Sequence, residues 1–497
     1  MDGKTFWLAT TSLSAALLLT PAAMAAKTPA ASGPTNAELQ ERIEHLEHKV
    51  QQTNDQNGAL RSRLSTLEQD VADPHWSFAN SRPTISSGDG RFSMSLRTRF
   101  QVDAASFMQK DNLPAAVVGR DLSSGAVVRR AYLGIEGRTF RDFWYEFRLN
   151  FGGSNGEAST ENPNLARVAY VGIPNFRINV GVIQPIFTYG NTVSSGQLTF
   201  IERAEAINMA TDNFGGEDAR RGIELTFQKT DFLYGGDNIV LSGAITGAKV
   251  GTTTGHGAGG DEQTQALGRF AYRLWSDGTS NVQIGGSASR LTHLSPTTAG
   301  VTLEDRPEIR IDGTRLVSTG AVTSREGSNM WGIDGEFNID RFFMAGEYMR
   351  YTLQRPGLPN AKFDAWYVEG SFVLAGASKV YGASAMNNEV GSWGAPRVSA
   401  PFSLKGGSWG AWELAARFAN TDLNFNEGSL GLATPAGGVR GGESKIWTIG
   451  LNWYLNNNVR LTVNDMIVKT DRIRTAGAFE QIGQDMNVLA ARLQFQM

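Results

Sequence analysis

From Phe143 to Phe151 apolar and polar residues alternate strictly. Phe143, Tyr145, Phe147, Leu149 and Phe151 fall on one side, and Trp144, Glu146, Arg148 and Asn150 on the other. Successive side chains of a strand point to opposite faces, so a period of two predicts a strand. The apolar side is mostly aromatic, and the other side carries charges of both signs. A strand of a membrane barrel reads this way, with apolar residues toward lipid and polar residues toward a wet lumen.

The pattern recurs along the chain. It predicts strands over 91–107, 127–137, 142–152, 164–173, 175–184, 220–229, 238–248, 265–275, 281–291, 329–339, 341–353, 362–374, 409–419, 444–455, 459–469 and 486–497, sixteen in all. An even number returns both ends of a barrel to one side of the membrane. A further strand-like run, 308–318, is placed in a loop to keep the number even. Short connections (137–141, 174–175, 456–458) alternate with long ones (108–126, 185–219, 292–328, 420–443, 470–485), the asymmetry expected of outer-membrane barrels. The connection 375–408 breaks that alternation, being long where a short turn is expected. The fold class is all-β: a sixteen-stranded antiparallel transmembrane β-barrel over 91–497, preceded by a coiled-coil helix.

The residues before the barrel have another period. Leu39, Ile43, Leu46, Val50, Thr53, Asn57, Leu60, Leu64, Leu67 and Val71 are spaced alternately by four and three, the 3.5-residue repeat of a left-handed coiled coil. At about 1.5 Å per residue, a helix over 36–72 would be roughly 50 Å long. Branched residues dominate the a positions and Leu the d positions, which favours dimers in simple coils. A single amphipathic helix is the other reading. Pro74 stops the helix, and residues 73–90 are a linker. At the start of the chain, Lys4, the apolar run Phe6–Leu19 and Ala23-Met24-Ala25 have the layout of a secretory signal peptide over 1–26.

Composition narrows the function. The absence of Cys removes disulfide and thiolate chemistry, and a formal net charge of -3 gives no reason to expect nucleic acid. None of the five His sits on a clean strand near an inward Ser or carboxylate pair, so His-dependent hydrolysis is not indicated. No cofactor is expected, because the Gly-rich piece 257–260 lacks the Lys-Ser/Thr of a phosphate-cradling loop. Alternation places Arg97, Arg99, Arg130, Arg148, Arg177, Arg269 and Arg273 inward, with Arg417, Arg460 and Arg492, against inward acids that nearly cancel them. Arginine grips phosphate or carboxylate by two bonds, so these are candidate anion contacts; pairing with the acids would make them structural. Arg129 falls on the lipid face by strict alternation, unless the strand bulges there. The loop 185–219, with Glu202, Arg203 and Glu205, is the candidate constriction.

Several stretches together resemble the phosphate-selective porin O and P family: RRAYLGIEGRTFRDFWYEF (129–147), 181–209, GSWGAWELAARFANTDLN (407–424), 441–464 and NVLAARLQF (487–495). The resemblance runs over nearly all of 91–497. It implies a trimeric outer-membrane porin with a cationic lumen passing phosphate or related small anions, and it matches Arg99, Arg129 and Arg130 to pore arginines. Trp144 and Asn191 stand where members carry pore lysines. The expected partners are therefore small anions, outer-membrane lipid, two further copies and, through the coiled coil, the periplasm or cell wall. A barrel-anchored enzyme and a cell-wall tether are the alternative classes.

Overall fold

A computed structural model describes residues 35–78, 81–110, 121–153, 163–216, 219–250, 262–294, 300–382 and 390–497. Segment 1–26, expected to be a signal peptide, lies outside them. Contacts divide the chain into two units, Met1–Asp70 and Val71–Met497.

Helix α1 runs without a break from Asn36 to Ala72. Its start is a capping box: the Glu38 amide donates to Thr35 Oγ1 at 3.4 Å, and the Thr35 amide donates to Glu38 Oε2 at 2.8 Å. Leu39, Ile43, Leu46, Val50, Leu60 and Leu64 of the heptad stripe are all exposed.

The second unit is a closed barrel. Its sixteen strands are β1 Ser93–Gln109, β2 Gly125–Thr139, β3 Phe143–Asn150, β4 Leu165–Tyr170, β5 Phe176–Ile183, β6 Arg220–Thr230, β7 Asn238–Lys249, β8 Thr264–Ser276, β9 Asn281–His293, β10 Asn329–Ile339, β11 Phe342–Leu353, β12 Ala361–Ala375, β13 Ala411–Phe425, β14 Val439–Tyr454, β15 Val459–Asp471 and β16 Gln484–Gln496. Each pairs antiparallel with its neighbours, and β16 closes on β1 from Met486↔Gln109 to Gln496↔Arg99. Two three-residue strands in the linker, His75–Ser77 and Thr84–Ser86, extend the sheet below β16, the second pairing with Ser93–Ser95.

The wall follows the alternation. In β3, Phe147 is 43% exposed, while Glu146 and Arg148 on either side are 2% and 7% exposed. Exposed Phe100, Ile284, Ile333, Trp447 and Ile467 continue the outer apolar band. One break carries consequence. Gln101 pairs with Arg130 but Val102 pairs with Val128, so Arg129 is the extra residue of a β-bulge. The bulge turns Arg129 off the lipid face, and both arginines of the pair point inward.

Three connections fold back into the lumen. Residues 184–216 carry α2 (Tyr189–Thr192) and α3 (Glu205–Phe214), and most of their side chains are buried. The strand-like run at 308–318 is indeed loop: only Val317–Ser318 pairs, with Glu304–Asp305. The long 375–408 connection is accounted for by its packing. Trp393 is 2% exposed, meets the rings of Tyr381, Phe343 and Tyr189 at 4.9, 5.7 and 6.3 Å, and donates its Nε1 hydrogen to Asn338 Oδ1 at 2.7 Å. This segment fills the barrel at the end that carries the short turns.

Candidate functional site

The infolded loop 184–216 begins as a rigid corner. The Asn191 amide donates to Thr188 Oγ1 at 3.1 Å, which caps α2. Arg203 returns from twelve residues on to donate to the carbonyls of Gly190, Asn191 and Val193 at 2.7, 3.4 and 2.6 Å, groups a short helix leaves open at its C-terminus. The inward Glu347 of β11 accepts the amides of Tyr189 and Gly190 at 2.7 and 2.9 Å. Helix α3 ends on Gly215 at φ 89°, a left-handed stop that glycine adopts without penalty, and buries Ile207, Met209, Ala210 and Phe214 against Leu291, Met330, Tyr351 and Phe363.

Glu202 ties this loop to the opposite wall. Its carboxylate receives Arg129 at 2.9 Å, Arg130 at 3.0 Å and Arg492 at 2.8 Å. Arg417 donates twice to its carbonyl, at 3.2 and 3.1 Å, and Arg492 also grips Asp103 with two bonds at 2.6 and 2.7 Å. Burial opposes ionisation of Glu202, but the three guanidinium groups overcome it and hold its carboxyl well below the usual carboxylate range. Glu205, three residues on, has the opposite setting. Burial first, then nearby Asp305 and Glu308, push its carboxyl well above that range. A raised native pKa gives stability that is complete at acid pH and lost as pH rises through that pKa. Glu205→Gln is therefore expected to flatten the loss of thermal stability between acid and alkaline pH, measured by melting curves of the folded barrel in detergent.

Beside the loop lies a cavity of ≈ 450 Å³ at the short-turn end. Its wall presents five arginine side chains (Arg82, Arg97, Arg99, Arg148, Arg167) and two glutamates (Glu136, Glu146). Arg97 bonds Glu136 at 2.7 Å and lies 3.4 Å from Glu146; Arg167 bonds Glu146 at 2.6 Å. Arg148 donates to Asn164 Oδ1 at 2.8 Å, stands 3.8 Å from the Glu146 carboxylate and lies over the Tyr132 ring at 4.3 Å. Arg99 is different. It donates only to the hydroxyls of Ser195 and Ser194, at 2.6 and 3.0 Å, lies over Tyr132 at 5.6 Å, and forms no ion pair among the described residues. It is 8% exposed, and its Nε has no hydrogen-bond partner. A buried guanidinium without a counter-charge is strongly attractive to an anion.

The other candidate residues sit elsewhere. Arg177 bonds Glu224 at 3.4 Å, and Arg269 grips Asp334 with two bonds at 2.6 and 2.9 Å, so both are neutralised within the wall. Arg273 donates to Asn281 Oδ1 at 3.1 Å and lies over Tyr381 at 4.6 Å. Arg97, Arg99 and Arg148 share one cavity; Arg129 and Arg130 share Glu202. Two cavity residues escape the sequence reading. Arg167 was legible from its own strand, where exposed Val168 sets the phase. Arg82 comes from the linker, and no periodicity there announces it. Trp144 lines the cavity with Arg167 4.7 Å from its ring. Placing an ammonium group there by Trp144→Lys should strengthen anion binding in the cavity roughly threefold, since a unit charge about 6 Å away in water is worth roughly 0.7 kcal/mol. Phosphate titration of single-channel current checks this.

Porin O of Pseudomonas aeruginosa is 22% identical over 403 residues, covering 78% of this chain and 86% of that protein. An uncharacterised protein of Caulobacter vibrioides is 27% identical over 391 residues, covering 77% and 69%. Among solved structures, the anion-selective porin from Comamonas acidovorans is 13% identical with a TM-score of 0.45, covering 82% of this chain and 100% of that one. The outer membrane channel DcaP of Acinetobacter baumannii is 12% identical with a TM-score of 0.41, covering 82% and 97%. The family model for phosphate-selective porin O and P matches residues 95–497, and the chain belongs to that family of outer-membrane porins.

Proposed function

We propose that this outer-membrane porin prefers anions, and that small anions such as phosphate pass through the arginine cavity beside the infolded loop. The observation that carries this reading is Arg99: a buried guanidinium, without a carboxylate partner among the described residues, on the wall of a cavity where five arginines face two glutamates. Rings or clusters of one sign set the barrier in a channel. Outer-membrane barrels turn their short connections to the periplasm, so the cavity belongs to the periplasmic half of the path. Glu202, Arg203 and Glu205 fix the constriction, and no chemical step is required. The test is the reversal potential of a planar bilayer under a KCl gradient. An anion-side value supports the reading; a cation-side value refutes it.

Segment 1–26 would serve as the export signal. The exposed heptad stripe of α1 supports a second part of the proposal: the helix joins copies of the chain, in a homotrimer, as a coiled coil, and can reach periplasmic or cell-wall partners. Deleting 36–72 should then weaken the oligomer, seen by cross-linking, and leave single-barrel conductance intact.

A further inference from the structure

A second cavity, of ≈ 510 Å³, adjoins the arginine cavity, and the two share Gln197, Asn457, Asn458 and Gln496 on their walls. Its lining carries two arginines and no carboxylate: Arg397 is exposed, and the buried Arg460 donates to the Leu198 carbonyl at 2.7 Å and to Gln494 Oε1 at 3.3 Å.

The four shared residues are all amides, and each keeps hydrogen-bonding capacity that no described residue uses. Asn457 spends its Oδ1 on the Val398 amide at 3.0 Å, which leaves its Nδ2. Gln197 spends its Oε1 on the Ala395 amide at 2.8 Å, which leaves its Nε2. Asn458 spends its Nδ2 on the Gln496 carbonyl at 2.8 Å, which leaves its Oδ1. The Gln496 side-chain amide makes no hydrogen bond among the described residues. A row with free donors and free acceptors suits hydroxyl groups, which are both.

Size points the same way. At about 30 Å³ per water, the arginine cavity alone corresponds to roughly fifteen waters, far more than an inorganic phosphate fills. A bare phosphate at Arg99 would also leave the amide row unused. We propose that the preferred solute is a hydroxylated organic anion, of the sugar-phosphate or sugar-acid class. Its anionic group sits among Arg99, Arg148 and Arg167, and its hydroxyls lie on the row Gln197, Asn457, Asn458 and Gln496. The proposal rests on the anion-preferring reading above and adds the solute's body to it. Small ions still pass; the two-part site holds a two-part solute longer.

The test compares current block of the full-length porin in planar bilayers by glucose 6-phosphate, inorganic phosphate and glucose, with the KCl reversal potential measured on the same channels. The expected result is half-block by glucose 6-phosphate at a concentration about tenfold or more below that of phosphate, with glucose far weaker than either. Gln496→Met, which keeps the length of the side chain and removes its amide, should reduce the preference for glucose 6-phosphate over phosphate several-fold. Arg99→Gln should weaken block by both anions. Equal block by the two phosphates with an anion-side reversal potential overturns the two-part site and leaves the anion reading standing. A cation-side potential overturns both. Block by glucose as strong as by its phosphate, or an unchanged preference in Gln496→Met, overturns the proposal.

Discussion

Glu202→Ala is expected to release the infolded loop, raising single-channel conductance and lowering the melting temperature of the folded barrel together. Three guanidinium groups from β2 and β16 converge on this carboxylate at 2.8–3.0 Å, and the chain around it is buried. Arg130 draws both its anionic contacts from Glu202, whereas Arg492 keeps Asp103. Removing one partner of a buried pair costs about 3–5 kcal/mol, because the other charge stays in a low-dielectric site. Glu202→Gln keeps an acceptor and should lose less. The carboxyl's depressed pKa gives the pH dependence. The stability Glu202 contributes is present above the ordinary carboxylate range and is lost only as pH falls through its much lower native value. The wild-type loop should therefore stay fastened through mild acid. If Glu202→Ala changed neither conductance nor melting, the apolar face of α3 would be what holds the loop.

The second large effect is on ion preference. Arg99→Glu and Arg148→Glu each change the charge beside the cavity by two units. At about 6 Å in water one unit is worth roughly 0.7 kcal/mol, so each reversal should move the anion-to-cation permeability ratio by about tenfold or more. The double variant should be cation-selective. Arg177→Gln and Arg269→Gln provide the contrast. Those arginines are neutralised by Glu224 and Asp334 inside the wall, so their removal should cost stability and leave selectivity nearly unchanged. Bi-ionic or gradient reversal potentials on the purified variants separate the two groups.

The strands were legible because lipid and water on opposite faces of one sheet write a period of two into the chain. Phe143–Phe151 carries that period plainly, and the sixteen segments close in the order read. Arg129 shows where periodicity stops being informative. A bulge adds one residue and shifts the phase, and nothing in RRAY marks which of the two arginines is extra. Pairing is a matter of register rather than period. Alternation turns Arg269 and Asp334 inward, but they meet from β8 and β10 with β9 between them, and only the fold brings them together. The infolded loops were visible as length, not as contact. Arg203 capping α2 and Trp393 reaching Asn338 are long-range consequences of how the loops return, and the buried, unpaired state of Arg99 depends on Ser194 and Ser195 arriving from one of them.

The absence of native cysteine allows a direct test of the claim on which everything else depends, that one face of each strand meets lipid and the other a wet, positive interior. Single cysteines at Ser194 in the cavity and at Phe147 on the outer face would be exposed to charged, water-soluble thiosulfonates in porin reconstituted into vesicles. Ser194→Cys should react, and faster with an anionic reagent than with a cationic one, while Phe147→Cys should be shielded by the bilayer. Reaction at Phe147 with protection at Ser194, or faster labelling of Ser194 by the cationic reagent, would contradict the account.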